Sequence, residues 1–153
     1  MILSMRRLSL LLGALSLTAC LNTTGPSNDP SDPATETFAS LLHVDISTMQ
    51  KTQDGVYYRD VTAGTGPQLA APQIVIATYN AYLKTGVLWD SGISKTVDLT
   101  QQVIGLQEGM IGMRVGGERL IVVPSALGFG DLIVGGIPPN STLVFDIKLE
   151  ELP

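Results

Sequence analysis

Between residues 73 and 83 every second side chain, Val75, Ala77, Tyr79, Ala81 and Leu83, is apolar or aromatic. That period of two places them on one face of a strand. The alternation returns in Leu143, Phe145, Ile147 and Leu149, with Val144, Asp146 and Lys148 between them. The second run reads as a strand with one buried face and one mostly wet face, as antiparallel sheets allow. Only one stretch has helical spacing. Val103, Leu106, Met110 and Met113 form a stripe interrupted by Gly105, Gly109 and Gly112. Each glycine weakens a helix by up to ~1 kcal/mol relative to alanine, so this helix needs a sheet against its stripe. Shorter strands are expected at 56–61, after the Asp54-Gly55 turn, at 87–90, after Lys84-Thr85-Gly86, and at 119–123, before Pro124. Residues 38–51 suit a helical turn followed by a strand, and residues 125–140 read as loop. The sum is an α+β fold, an antiparallel sheet of about five strands with one short helix packed on it.

The first 19 residues read differently. Arg6 and Arg7 precede the apolar run LSLLLGALSLTA, too short for the roughly 20 residues a bilayer core demands. A basic start followed by a short apolar stretch is the layout of a secretory signal. It ends in Leu17-Thr18-Ala19-Cys20, which resembles the lipobox of bacterial lipoproteins. The resemblance implies cleavage before Cys20 and lipidation of its thiol, and so a place in the cell envelope, outside the cytoplasm. Several acyl chains anchor firmly, at about 0.8 kcal/mol per buried CH₂. Residues 20–37, rich in Pro, Ser, Thr, Asn and Asp, have little to pack and are expected to be a flexible tether. Residues 38–153 are left for a single folded domain.

Composition removes several function classes. Cys20 is the only cysteine and His43 the only histidine. No disulfide can form within the chain, and neither a soft-metal site nor a Ser-His-Asp centre is expected. The 153-residue chain carries a formal charge of −5, and about −7 once Arg6 and Arg7 are discounted. An acidic surface argues against nucleic acid as a partner. Gly64-Thr65-Gly66 lacks the strand-to-helix setting of a phosphate loop and reads as a turn.

Several ordered segments carry a family resemblance. They are the strand from Tyr79 with Trp89-Asp90-Ser91, then Val103-Ile104-Gly105-Leu106-Gln107-Glu108-Gly109, then Met113-Arg114-Val115-Gly116. Gly128-Phe129-Gly130, Gly135-Gly136-Ile137-Pro138-Pro139-Asn140 and Thr142-Leu143-Val144-Phe145-Asp146 follow. Together, over about residues 54–152, they resemble the FKBP-type peptidyl-prolyl cis-trans isomerases. The resemblance implies a twisted half-barrel sheet wrapped on the helix, with a proline-binding pocket between them. Tyr79, Trp89, Phe129 and Phe145 would be its aromatic walls, Val103 and Leu106 its floor, Val97 one side and Ile137 the rim. By the same resemblance the Ile137 N–H would donate to a ligand carbonyl and Asp90 would stand at the pocket edge. Tyr79, Asp90 and Phe145 are the expected catalytic residues; Trp89, Val97, Val103, Leu106, Phe129 and Ile137 are expected to bind substrate.

Three positions depart from the commoner pattern. Leu106 stands where the floor is usually Trp, Phe129 where a Tyr usually offers a hydroxyl, and Trp89 where Phe is usual. A lost hydrogen bond costs roughly 0.5–1.5 kcal/mol. The expected activity is isomerisation of X–Pro bonds in exported proteins; a tethered binding or chaperone module with little turnover is the alternative. Amide rotation makes and breaks no covalent bond, so no cofactor or metal is expected. The partners implied are proline-containing polypeptides and, through Cys20, a membrane. With no long helical arm before the domain and no insert between Gly130 and Ile137, a monomer is expected.

Overall fold

The computed structural model describes residues 32–153. Its order is β1 (Gln50–Lys51), β2 (Tyr57–Thr62), β3 (Ile74–Leu83), β4 (Leu88–Asp98), α1 (Ile104–Met110), β5 (Glu118–Val123) and β6 (Leu143–Glu151). The strands form one open antiparallel sheet in the order β1-β2-β5-β6-β3-β4. The α+β architecture read from the sequence is therefore present, with the two-residue β1 as a sixth strand.

The two strands read from period two alternation, β3 and β6, pair with each other at the heart of the sheet. Val75, Ala77, Ala81, Leu143, Phe145, Ile147 and Leu149 are all buried on the inner face. Leu106, Met110 and Met113 of the helical stripe pack against them. The helix itself is shorter than that stripe, with Val103 at its N-cap and Met113 beyond its end. Its glycines have a packing role. A Cβ at Gly105 would lie 2.3 Å from Val123 Cγ1, and one at Gly109 would lie 2.5 Å from Ile121 Cγ2. Small residues there let the helix backbone settle directly onto β5. Arg119, buried on β5, donates to the carbonyls of Gly109 and Ile111 at 2.9 and 3.1 Å and so satisfies the helix's free C-terminal acceptors. Asp60 balances its charge, with Arg119 Nε donating to Oδ1 at 2.7 Å.

Three features differ from the sequence reading. β4 runs on through Asp98, well past Asp90. It is an edge strand, so much of it is exposed and no apolar alternation marks it. The outer face of the sheet is not uniformly wet. Leu42, Tyr57, Leu120, Val122 and Val144 form a second buried cluster under an arm bearing Phe38, Ala39, Val44, Ile46 and Met49. Residues 32–37, grouped by composition with the tether, are seated on the sheet. The Tyr57 hydroxyl donates to Asp32 Oδ1 at 3.1 Å, Lys51 Nζ stands 3.3 Å from Asp32 Oδ2, and Lys84 pairs with Glu36 at 2.9 Å. The signal segment, Cys20 and the tether up to residue 31 lie outside the described residues. Among the described residues no helix is long and apolar enough to cross a membrane.

Candidate functional site

The inner face of β3, β4 and β6 meets the start of α1 and the segment at Phe129 in a cavity of about 290 Å³. Eight of the nine expected site residues line it. Tyr79, Trp89, Phe129 and Phe145 supply rings; Val97, Val103 and Leu106 supply aliphatic surface; Asp90 supplies a carboxylate. Phe145 and Leu106 are buried, while Tyr79, Trp89, Val97, Val103 and Phe129 are half-buried.

The rings are ordered by edge contacts. Trp89 stands edge-on to Phe129 and to Phe145, each with centroids 5.9 Å apart and with interplanar angles of 77° and 81°. Such T-shaped pairs are favourable by about 0.5–1.5 kcal/mol beyond area burial. The indole nitrogen of Trp89 is buried and finds no acceptor among the described residues. The Tyr79 hydroxyl donates to Asp90 Oδ2 at 3.0 Å, and the Ser91 N–H donates to Oδ1 at 2.8 Å. Burial, and then the bond to Asp90, hold the Tyr79 hydroxyl above its ordinary pKa. It is a protonated donor at neutral pH.

Consecutive residues of a regular strand point to opposite faces, yet Trp89 and Asp90 both line the cavity. A shift in register explains this. Ala81 faces Asp90 and Tyr82 faces Leu88, which leaves Trp89 as the extra residue of a bulge. A second shift follows, with Tyr79 opposite Gly92 but Ala77 opposite Lys95. Ser94, inside that bulge, has φ 46°. The second irregularity puts Lys95 opposite the inward-facing Ala77 and so on the cavity side. Thr96 and Asp98 border the cavity as well, joined by Gln102 and by Ile147 of β6. Ile147 was readable from the β6 alternation. The others were not, since polar residues in and after an irregular edge strand leave no mark in hydrophobic periodicity.

Ile137 is the exception. It does not line this cavity; its side chain is buried, and its N–H donates to the Val134 carbonyl at 2.8 Å. For that N–H to serve a ligand, the turn from Val134 to Ile137 must open or share the bond. His43 lies on the other side of the sheet, at a separate cleft with Arg59, Glu118 and Asp146. Among the described residues no three His, Cys, Asp or Glu side chains converge as metal ligands.

The chemistry on offer is therefore that of a half-open, ring-walled hollow bordered by polar side chains, with a phenol–carboxylate pair at its edge. The chain as a whole is similar to known proteins. Peptidyl-prolyl cis-trans isomerase FKBP16-3, chloroplastic, of Arabidopsis thaliana is 33% identical over 116 residues, covering 69% of this chain and 52% of that protein. The FK506-binding protein of Neisseria meningitidis serogroup B is 32% identical over 102 residues, 62% of this chain and 94% of that protein. The crystal structure of FkpA from Escherichia coli superposes with a TM-score of 0.63 at 33% identity, covering 67% of this chain and 50% of that one. The chain thus spans about half the length of the Arabidopsis relative. The family model for the FKBP-type peptidyl-prolyl cis-trans isomerase matches residues 66–150. Because that match takes in β3, β4, α1, β5 and nearly all of β6, and with them every strand and helix that lines the hollow, the chain belongs to the FKBP-type peptidyl-prolyl cis-trans isomerase family.

Proposed function

We propose that the protein is a peptidyl-prolyl cis-trans isomerase acting on X–Pro bonds of exported polypeptides, held to a membrane of the cell envelope by lipid on Cys20. The observation that carries the catalytic part is the gathering of Tyr79, Trp89, Phe129 and Phe145 around one cavity with Asp90 at its edge. Rotation about X–Pro faces a barrier of about 18–20 kcal/mol because amide resonance must be interrupted. The planar amide is more dipolar than the twisted one. Removing its carbonyl from water raises the ground state more than the transition state. The rings supply that desolvation and grip the proline ring, so binding energy favours the twisted form. Acceleration by a hundred-thousandfold corresponds to about 7 kcal/mol. Tyr79 and Asp90 act in concert, the carboxylate fixing the direction in which the phenol points. The anchor rests on the sequence around Cys20, and globomycin-sensitive processing or mass spectrometry of the exported chain tests it.

A second reading, a tethered binding module with little turnover, draws on two specific features. The Ile137 N–H is already occupied by Val134, and Phe129 carries no hydroxyl. The chain's single tryptophan, Trp89, separates the two readings because it reports occupancy of the hollow by its own fluorescence. A prolyl peptide should quench or shift that emission under both. Only the isomerase should also accelerate a proline-limited refolding reaction. We expect Tyr79→Phe, Asp90→Ala and Phe145→Ala each to lower that rate about tenfold or more. Emission that responds to peptide with no rate above background at micromolar protein would establish the binding module instead.

A further inference from the structure

Tyr79 has unequal neighbours across the sheet. On β6 it faces Ile147, which is buried; on β4 it faces Gly92. Residues directly opposite in an antiparallel pair project to the same face with Cβ atoms about 4.5–5.5 Å apart. The phenol therefore has a full side chain on one flank and none on the other. It leans into the gap. A Cβ built on Gly92 would lie 2.8 Å from Tyr79 Cε1 and 3.2 Å from Cζ. The stem of Lys95 reaches the same gap, with Cγ 2.7 Å from that point, and Gly92 is buried. Asp90 lies two residues back along β4, opposite Ala81, on the same face. A ring lying across Gly92 is thereby aimed at Asp90, and the hydroxyl meets Oδ2 at 3.0 Å.

The backbone does not call for glycine there. Gly92 is not among the residues with positive φ, so an L side chain is conformationally allowed and only space opposes it. Resting on the isomerase reading of the cavity, we infer that Gly92 is a positioning residue: its missing side chain is the notch in which the Tyr79 ring lies and from which the hydroxyl is directed at Asp90. Lys95 meets the methyl at Cγ, so it clears only by turning about its first side-chain bond, which its exposure leaves room for. The phenol has Ile147 on its other flank, and of the two groups the methyl meets it is the one whose displacement changes the bond to Asp90.

The test is Gly92→Ala in the full chain. Its kcat/KM in proline-limited refolding should fall roughly tenfold while its melting temperature stays within a few degrees of the parent. Gly92→Ala in a Tyr79→Ala background should add less than about twofold, because the ring that meets the methyl is gone. Lys95→Ala should fail to restore Gly92→Ala. The signature a merely structural role would not move is the ionisation of Tyr79, followed by NMR of ¹³Cζ-labelled tyrosine, with Tyr79→Phe assigning the resonance. Burial and Asp90 hold that group high in the parent; Gly92→Ala should bring it down toward ordinary tyrosine. Equal losses from Gly92→Ala with and without the Tyr79 ring, rescue by Lys95→Ala, or an unmoved Tyr79 titration would each overturn the assignment. If the parent proves inactive, the isomerase reading falls, while the tyrosine titration still decides whether Gly92 sets the ring.

Discussion

Asp146 stands on the outer face of β6, opposite Leu120 and diagonal to Glu118, which itself faces Lys148. Partial burial first, and then Glu118, hold its carboxyl above the ordinary value of 3.8. Arg59 and His43 border the same cleft. A carboxyl raised on folding is held most easily when protonated. Its cost is absent below the unfolded value, appears as pH rises through that value and the folded one, and is fully present at neutrality. Asp146→Asn should therefore raise stability at pH 7 by a few tenths of a kcal/mol, the scale of exposed cross-strand charge effects. The gain should vanish near pH 3. Denaturant midpoints of parent and variant at both pH values check this, and a gain that persists at pH 3 would point away from charge. None of this was readable beforehand, because Asp146 and Glu118 are distant in sequence and meet only through β5–β6 register. The same holds for Gly92. A glycine in a polar, irregular stretch carries no sign of the ring that lies over it. Tyr79, Asp90, Trp89 and Phe145 were legible as a set only because family motifs mark them; on their own the rings read as core and Asp90 as a strand-end carboxylate.

Elements were legible in proportion to how one-sided their burial is. β3 and β6 each expose a clean apolar face to the core, so period two found them nearly to their ends. β4 pairs with only one neighbour and carries two bulges, and its second half showed no pattern. The helix stripe was found, but its glycines read as weakness. Their purpose lies in β5. In an exposed helix Gly109→Ala would stabilise by about 1 kcal/mol. Here the added methyl meets Ile121 at 2.5 Å, and overpacking of this kind costs about 1–3 kcal/mol. The contact outweighs the propensity. Gly109→Ala should be destabilising by about 1–2 kcal/mol, with the denaturation midpoint lowered and the slope unchanged. A stabilised variant would mean that the helix can rise off β5 without loss.

The sheet divides the molecule into two faces with separate duties. The inner face holds the helix and the ring-walled hollow; the outer face holds a smaller core closed by residues 32–49. Sequence patterning found the first because strands and helix share it. It did not foresee the second because an arm of 3₁₀ turns has no period: residues from Phe38 on read as a helical turn and strand of the domain, and only residues 32–37 read as tether. Separation of the faces predicts that Leu42→Ala, which truncates a side chain only 6% exposed, lowers stability by about 2–4 kcal/mol while kcat/KM stays within about twofold of the parent. The boundary of the folded unit follows from the same contacts. Asp32 accepts from Tyr57 and pairs with Lys51, and the Glu36 side chain is 7% exposed beneath Lys84. Hydrogen bonds to charged groups contribute about 1.5–3 kcal/mol when desolvated and less where one partner, like these lysines, is open to water. A chain beginning at residue 38 strands Tyr57 without its acceptor and should be less stable than one beginning at residue 32 by at least about 1 kcal/mol. Equal midpoints for the two would return residues 32–37 to the tether. If Tyr57→Phe abolishes the difference between the two chains, the stabilisation traces to the bond from Tyr57 to Asp32.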